Sequence, residues 1–171
     1  MSTTLNITPL TKNHWTEVKT IYEQGLKTRV ATFETESPSW EEWTQSHLSI
    51  CRFVVLEHNQ VIGWIAVSAV SSRCVYGGVA EISVYVHEEH RGKGIGKLLL
   101  AEVITESENN GYWMLQAGIM PANVGSVKLH ESLGFRIVGY REKISKVDSV
   151  WQDNLLLERR SKVVGVDKKV Y

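Results

Sequence analysis

Apolar positions along the chain follow two rhythms, one near every third or fourth residue and one at every second. Leu5–Leu10 predicts a first strand, and Thr11 then stands as the N-cap of a helix carrying Trp15, Val18, Tyr22, Gly25 and Leu26. Thr28–Ser39 has turn chemistry and reads as a loop, and Ser37-Pro38-Ser39 opens a second helix with Trp40, Trp43 and His47 on one side. Arg52–Glu57 and Val61–Val70 read as strands joined in a hairpin through His58-Asn59-Gln60. In Val79–His87, Ala80, Ile82, Val84 and Val86 alternate with Glu81, Ser83, Tyr85 and His87, which predicts another strand. Lys93 to about Asn110 is a long helix carrying Ile95, Leu99 and Val103, stopped by Asn109-Asn110-Gly111. A strand over Tyr112–Ile119, a helix over Ala122–Leu133 ended by Gly134, and strands over Phe135–Ile144 and Val150–Glu158 complete the order.

The order β-α-α-β-β-β-α-β-α-β-β is neither a regular βαβ alternation nor a pure sandwich. It predicts a mixed, largely antiparallel sheet with helices on both faces, an α/β fold that some classifiers call α+β. No repeat, low-complexity tract or linker interrupts the pattern, so 1–171 reads as a single domain with its core over about 5–159 and a short charged tail.

Composition narrows the partners. Nineteen basic residues balance nineteen acidic ones, so no net field draws the chain to nucleic acid or an anionic membrane. No apolar run approaches the ~20 residues that span a bilayer, and MSTTLNITPL lacks a basic segment followed by an apolar one, so no signal peptide is expected. Cys51 and Cys74 sit in no CxxC or Cys/His cluster, which predicts free thiols, no metal site and a cytoplasmic location.

The chemistry concentrates where the Val79 strand runs through Arg91-Gly92-Lys93-Gly94-Ile95-Gly96 into a helix. Glycines there permit positive φ and close approach of backbone to a ligand. The helix start adds unpaired N–H groups and the positive end of its dipole, the combination that binds pyrophosphate. No Ser or Thr follows a Gly-Lys pair as a P-loop needs, and no acidic ribose ligand stands ~20 residues on in a βαβ unit, as a dinucleotide fold needs. A ligand-free glycine-rich connection shares the spacing and stays open on these residues alone.

Arg91, Gly94 and Gly96 after a hydrophobic strand resemble the Arg/Gln-x-x-Gly-x-Gly/Ala signature of the GNAT acetyltransferases. Asn123, Ser126, Leu129, His130, Gly134 and Phe135 are similar to the second run that ends such domains. Within that superfamily the chain looks like the phosphinothricin and methionine sulfoximine acetyltransferases. Thr32-Phe33-Glu34-Thr35-Glu36, Trp43, the Val79–Val86 strand, Leu129–Phe135 and Trp151-Gln152-Asp153 carry that likeness. It implies the GNAT acyl-CoA N-acyltransferase fold, acetyl-CoA as co-substrate, a homodimer with the last strands and Trp151 at its interface, and a small amino-acid-like acceptor. Transfer would go by direct attack in a ternary complex. Another amine (a polyamine, an aminoglycoside or a protein N-terminus) or a non-catalytic acetyl-CoA sensor are the alternatives.

An acceptor amine of pKa ~8 is roughly nine-tenths protonated at pH 7, so a base helps directly. The resemblance makes Glu81 that base, against the plainer alternative of a strand glutamate paired with a surface lysine. His130 stands where many relatives have a tyrosine, and it either protonates the leaving thiolate or only packs against the cofactor. Val84, Tyr85 and Val86 would offer backbone to the pantetheine arm through a splay beside the Tyr112 strand. Arg91, Gly92, Lys93, Gly94, Ile95 and Gly96 would take the pyrophosphate, with Asn123 and Ser126 beside the arm. Phe33, Arg73 and Tyr76 would line the acceptor pocket, with Arg73 either clamping a substrate carboxylate or standing in solvent.

Overall fold

In the computed structural model, which describes residues 5–167, central strands with apolar residues on both faces are covered from both sides. The elements in chain order are β1 (Asn6–Pro9), α1 (Trp15–Lys27), α2 (Trp40–Ser46), β2 (Phe53–Glu57), β3 (Gln60–Ala69), β4 (Val79–Val86), α3 (Ile95–Asn109), β5 (Met114–Ile119), α4 (Val124–Glu131), β6 (Arg136–Val147) and β7 (Val150–Arg160). The strands form one sheet in the order β1-β2-β3-β4-β5-β7-β6. Every neighbouring pair is antiparallel except β4 with β5, which the α3 crossover makes parallel. The predicted element order and the mixed sheet are both observed. The last four residues of the charged tail lie outside the described residues.

The continuous apolar run of β3 shows why the sheet needs two layers of helix. Ile62, Ile65 and Val67 face one core with Leu99, Leu100 and Val103 of α3. Val61, Trp64 and Ala66 face another with Val18 and Ile21 of α1 and Trp43 of α2. Trp43 and Trp64 meet edge-on at 5.8 Å and anchor that second core. Among the described residues no helix is long and apolar enough to cross a membrane.

Local signals set most boundaries. Ser39 caps α2 in a reciprocal box, its N–H donating to Glu42 Oε2 at 2.8 Å. The β2–β3 turn places His58 and Asn59 at φ 49° and 64°, the twist that suits a two-residue hairpin. The helix at Trp15 begins later than Thr11 suggested, because Thr11 starts a separate 3-10 turn over Lys12–His14. The last hairpin runs beyond its predicted ends, β6 to Val147 and β7 to Arg160. Irregular registers between Ile137 and Gly139 and between Arg141 and Ser145 break its alternation, so the sequence period loses it.

Gly25 is fixed by packing rather than by dihedral angle. A Cβ on Gly25 of α1 would come within 2.6 Å of the Tyr85 ring. That ring is stacked 4.8 Å from Trp64 and lies 5.0 Å from Tyr22, so it cannot swing away. Gly125 of α4 has nothing within 4 Å of such a Cβ. Gly25→Ala is therefore expected to lower stability by about 1–3 kcal/mol through overpacking, outweighing alanine's better helix propensity. Gly125→Ala should raise it by about 0.5–1 kcal/mol. Urea-unfolding midpoints of the two variants check this, and the opposite ordering would contradict it.

Candidate active site

The sheet parts in its middle. β4 and β5 pair only through Val79–Met114, Ala80–Leu115 and Glu81–Gln116. Beyond that rung β4 stays with β3 as far as Val86, and β5 stays with β7, which pairs its other edge from Met114 to Ile119. The edge of β4 facing β5 after Glu81 thus has no strand partner. By strand alternation it presents backbone groups of Val84 and Val86, of which the Val86 carbonyl takes the Arg91 side chain and the others are left to a ligand or solvent. This is the splay expected beside the Tyr112 strand.

The wedge opens onto the start of α3. Gly94, the residue before that helix, holds φ 85°, and Gly92 holds φ 74°. A Cβ at either would meet nothing within 4 Å, so both glycines serve the turn's backbone and leave open space before it. No side chain caps α3 and no acid stands in its first turn, so its N–H groups and dipole are available to an anion. Gly96 matters for packing instead. Its Cβ would lie 2.9 Å from Leu129 Cδ2, so a small residue there lets α4 close on α3. A cavity of about 480 Å³ runs from Val84 along this turn to Asn123 and Ser126. Of the predicted cofactor residues only Lys93 is missing from its wall, and Lys97 is present instead. The donors, the glycines and the cationic rim fit a diphosphate.

Asn123 is busier than expected. Its Oδ1 accepts the Ser126 N–H at 3.2 Å, and its Nδ2 donates to the Val30 carbonyl at 3.4 Å. It therefore caps α4 and ties that helix to the loop after α1.

A second cavity, of about 320 Å³, lies on the other side of the splay. Glu81 and His130 line it, with Phe33 from the long loop and Arg141, Ser145 and Asn154 from β6 and β7. Glu81 is half-buried, and its Oε2 accepts a hydrogen bond from Gln116 Nε2 at 2.7 Å, which leaves Oε1 free. Glu81 also lines a larger hollow of about 690 Å³ with Ser83, His47, Glu34, Glu36 and Glu42.

His130 is buried. Its Nδ1 lies 2.8 Å from the Ser126 carbonyl, which only accepts, so Nδ1 carries the hydrogen and Nε2 is a lone pair without a partner. Burial pulls its pKa down, partly offset by that carbonyl. In this state the imidazole donates at Nδ1 to Ser126 and can only accept at Nε2. The proton-donor role expected for it needs a prior protonation.

Arg73 and Tyr76 are not brought to either face of Glu81. They sit on an exposed 3-10 turn, Cys74–Tyr76 and its approach, with the Arg73 guanidinium 5.4 Å over the Tyr76 ring, and they line none of these cavities. Cys74 is exposed on the same turn, while Cys51 is buried and its thiol is pushed up to about 12 by burial. Neither is poised as a nucleophile. No group of three His, Cys, Asp or Glu side chains is placed to hold a metal among the described residues. The sequence reading missed Gln116, Arg141, Ser145, Asn154 and His47. Gln116, polar in an apolar strand, was the one signal that could have been read.

The acetyltransferase (GNAT) family model matches residues 15–135. Phosphinothricin N-acetyltransferase of Streptomyces coelicolor is 30% identical over 77% of this chain and 82% of its own. The L-methionine sulfoximine/L-methionine sulfone acetyltransferase of Salmonella typhimurium is 40% identical over a stretch covering 43% of each chain. The crystal structure of a GNAT superfamily phosphinothricin acetyltransferase from Sinorhizobium meliloti in complex with AcCoA superposes with a TM-score of 0.86. It is 28% identical and covers 98% of this chain and 94% of that one.

Both His130 and His47 have pKa values lowered mainly by burial from 6.5. A histidine depressed in the folded state contributes stability that is full above its unfolded value and is lost as pH falls through the folded one. Stability is therefore expected to decline on acidification from about pH 7.5 to 5.5, and His130→Gln should make the decline shallower. Denaturant midpoints at the two pH values test this, and a flat profile in the parent protein would refute it.

Proposed function

The chain belongs to the GNAT family of acetyltransferases, and from that premise we propose that it moves an acetyl group from acetyl-CoA to the primary amine of a small amino-acid-like acceptor. The supporting observation is one continuous path: the uncapped start of α3, the unpaired edge of β4, and Glu81 at the rung where the sheet parts. Acetyl-CoA would supply the acetyl group as a thioester. Gly92, Gly94, Ile95 and Gly96 would hold its diphosphate by backbone N–H groups, Arg91 and Lys97 would add charge, and Val84 to Val86 would pair with its arm.

Glu81 takes the proton of the amine at Oε1, the oxygen that Gln116 leaves free. Gln116 fixes the carboxylate's orientation from the neighbouring strand. His130 accepts at Nε2, so a proton given to the departing sulfur must first be loaded there. Phe33 supplies an apolar wall to the acceptor side. A cationic acceptor such as a polyamine is the second reading, favoured by Glu34, Glu36 and Glu42 around the larger hollow that Glu81 also lines.

The chain acts as one acetyltransferase domain in the cytoplasm, where its free cysteines, Cys51 and Cys74, suit a reducing compartment. It does so as a homodimer. Support comes from the exposed apolar side chains of the last hairpin, Tyr140, Ile144, Val150 and Trp151, the last 53% exposed.

Glu81→Gln should lower kcat by on the order of 10²–10⁴-fold while calorimetry finds acetyl-CoA affinity nearly unchanged. An unaltered kcat with chemistry limiting would remove Glu81 as the base. A thiol-release screen over amino acids, phosphinothricin, methionine sulfoximine and polyamines separates the two acceptor readings, and no acceptor above background would leave a sensor. Light scattering should give twice the mass of the 19.3 kDa chain, and a monomer at all working concentrations would overturn the dimer.

A further inference from the structure

Resting on the amino-acid acceptor put forward above, we propose that Arg141 is the residue that holds the acceptor's carboxylate and so selects α-amino acids over simple amines. Among the residues that line the cavity of about 320 Å³, one is acidic, Glu81, and one is an arginine, Arg141. A zwitterionic acceptor presents the complementary pair, an amine for Glu81 and a carboxylate for Arg141.

The other arginines are already engaged. Arg29, Arg136 and Arg159 pair with carboxylates. Arg52, Arg91 and Arg160 donate to backbone carbonyls, and Arg73 lies over Tyr76. Among the described residues, the guanidinium of Arg141 alone has no carboxylate, carbonyl or ring partner, although its planar fork is built for bidentate contact.

Its position is fixed by pairing with β7, where it stands opposite the buried Asn154 at the edge of a break in the strand. The register of β6 against β7 is irregular between Arg141 and Ser145, and Lys143 within that break holds φ 49°. Asp153 of β7 stabilises the break by accepting the Lys143 N–H at 2.8 Å and the Tyr140 hydroxyl. Arg141 and Ser145 share one face of the strand, and the bulge between them adds Ile144 to the same cavity wall, which regular alternation would not. The tip of the hairpin is tied across to the loop after α1 by Asp148 and Arg29 at 3.0 Å, so the strand carrying Arg141 and the loop carrying Phe33 meet over the same cavity.

The test compares L-methionine sulfone with L-methionine sulfone amide, which keeps the amine and loses the carboxylate charge. Arg141→Gln should raise KM for the sulfone by about tenfold or more, the scale of one charge-assisted contact at an exposed site, with kcat little changed. KM for the amide should not move, and Arg141→Lys should fall between. Calorimetry of the sulfone onto the CoA-loaded enzyme should show the same fold loss. Equal losses for both acceptors, no loss for either, or a loss produced by Arg73→Gln instead would overturn the assignment, as would failure of the parent protein to bind the sulfone. Arg141-dependent binding without turnover would uphold the clamp and sink the transferase reading. Turnover of amines regardless of a carboxylate would do the reverse.

Discussion

Three rungs into their parallel pairing, β4 and β5 separate, and the remaining features of the site are arranged around that separation. The last rung joins Glu81 to Gln116 through their backbones by register and through their side chains by a hydrogen bond of 2.7 Å. A strand edge inside a protein normally finds a partner, because unpaired N–H and C=O groups are costly away from water. Here β5 keeps only β7, which pairs its other edge throughout, and β4 keeps only β3. The unpaired edge is a ready template for an extended amide-bearing ligand, and it ends at the one carboxylate on the strand.

The helix that follows supplies the complementary electrostatics. α3 is apolar underneath, with Leu99, Leu100 and Val103 fully buried against the sheet, so its axis is held firmly. Its N-terminus, by contrast, has no cap and no acid. Capping would add stability of about 1 kcal/mol in an ordinary helix, and its absence keeps the N–H groups for an anion. The two positive-φ glycines make the same trade in backbone entropy. A firm core thus carries an unsatisfied end.

The acceptor side is assembled differently, from elements distant in sequence. The loop after α1, the end of β4, the start of α4 and the bulged β6 all meet at one cavity. Its polar groups are aligned by neighbours: Gln116 holds Glu81, Ser126 fixes the tautomer of His130, and Asp153 fixes the bulge beside Arg141. Such supports set which atoms remain free, Oε1 of Glu81 and Nε2 of His130 among them.

By itself the sequence determined the order of elements, the mixed sheet and the glycine-rich turn into α3, because each is encoded by local periodicity, by caps or by glycines within a few residues of one another. Glu81 and His130 were legible through family resemblance at fixed offsets from that turn. Tertiary structure alone decided that Glu81 meets Gln116, that His130 is left with a bare acceptor, and that Arg141 reaches the cavity while Arg73 lies outside it. The physical reason is range. Arg141 owes its place to pairing opposite Asn154 of β7, and Arg73 owes its own to a short turn that faces solvent, and neither has a period or a motif that a chain of letters can display.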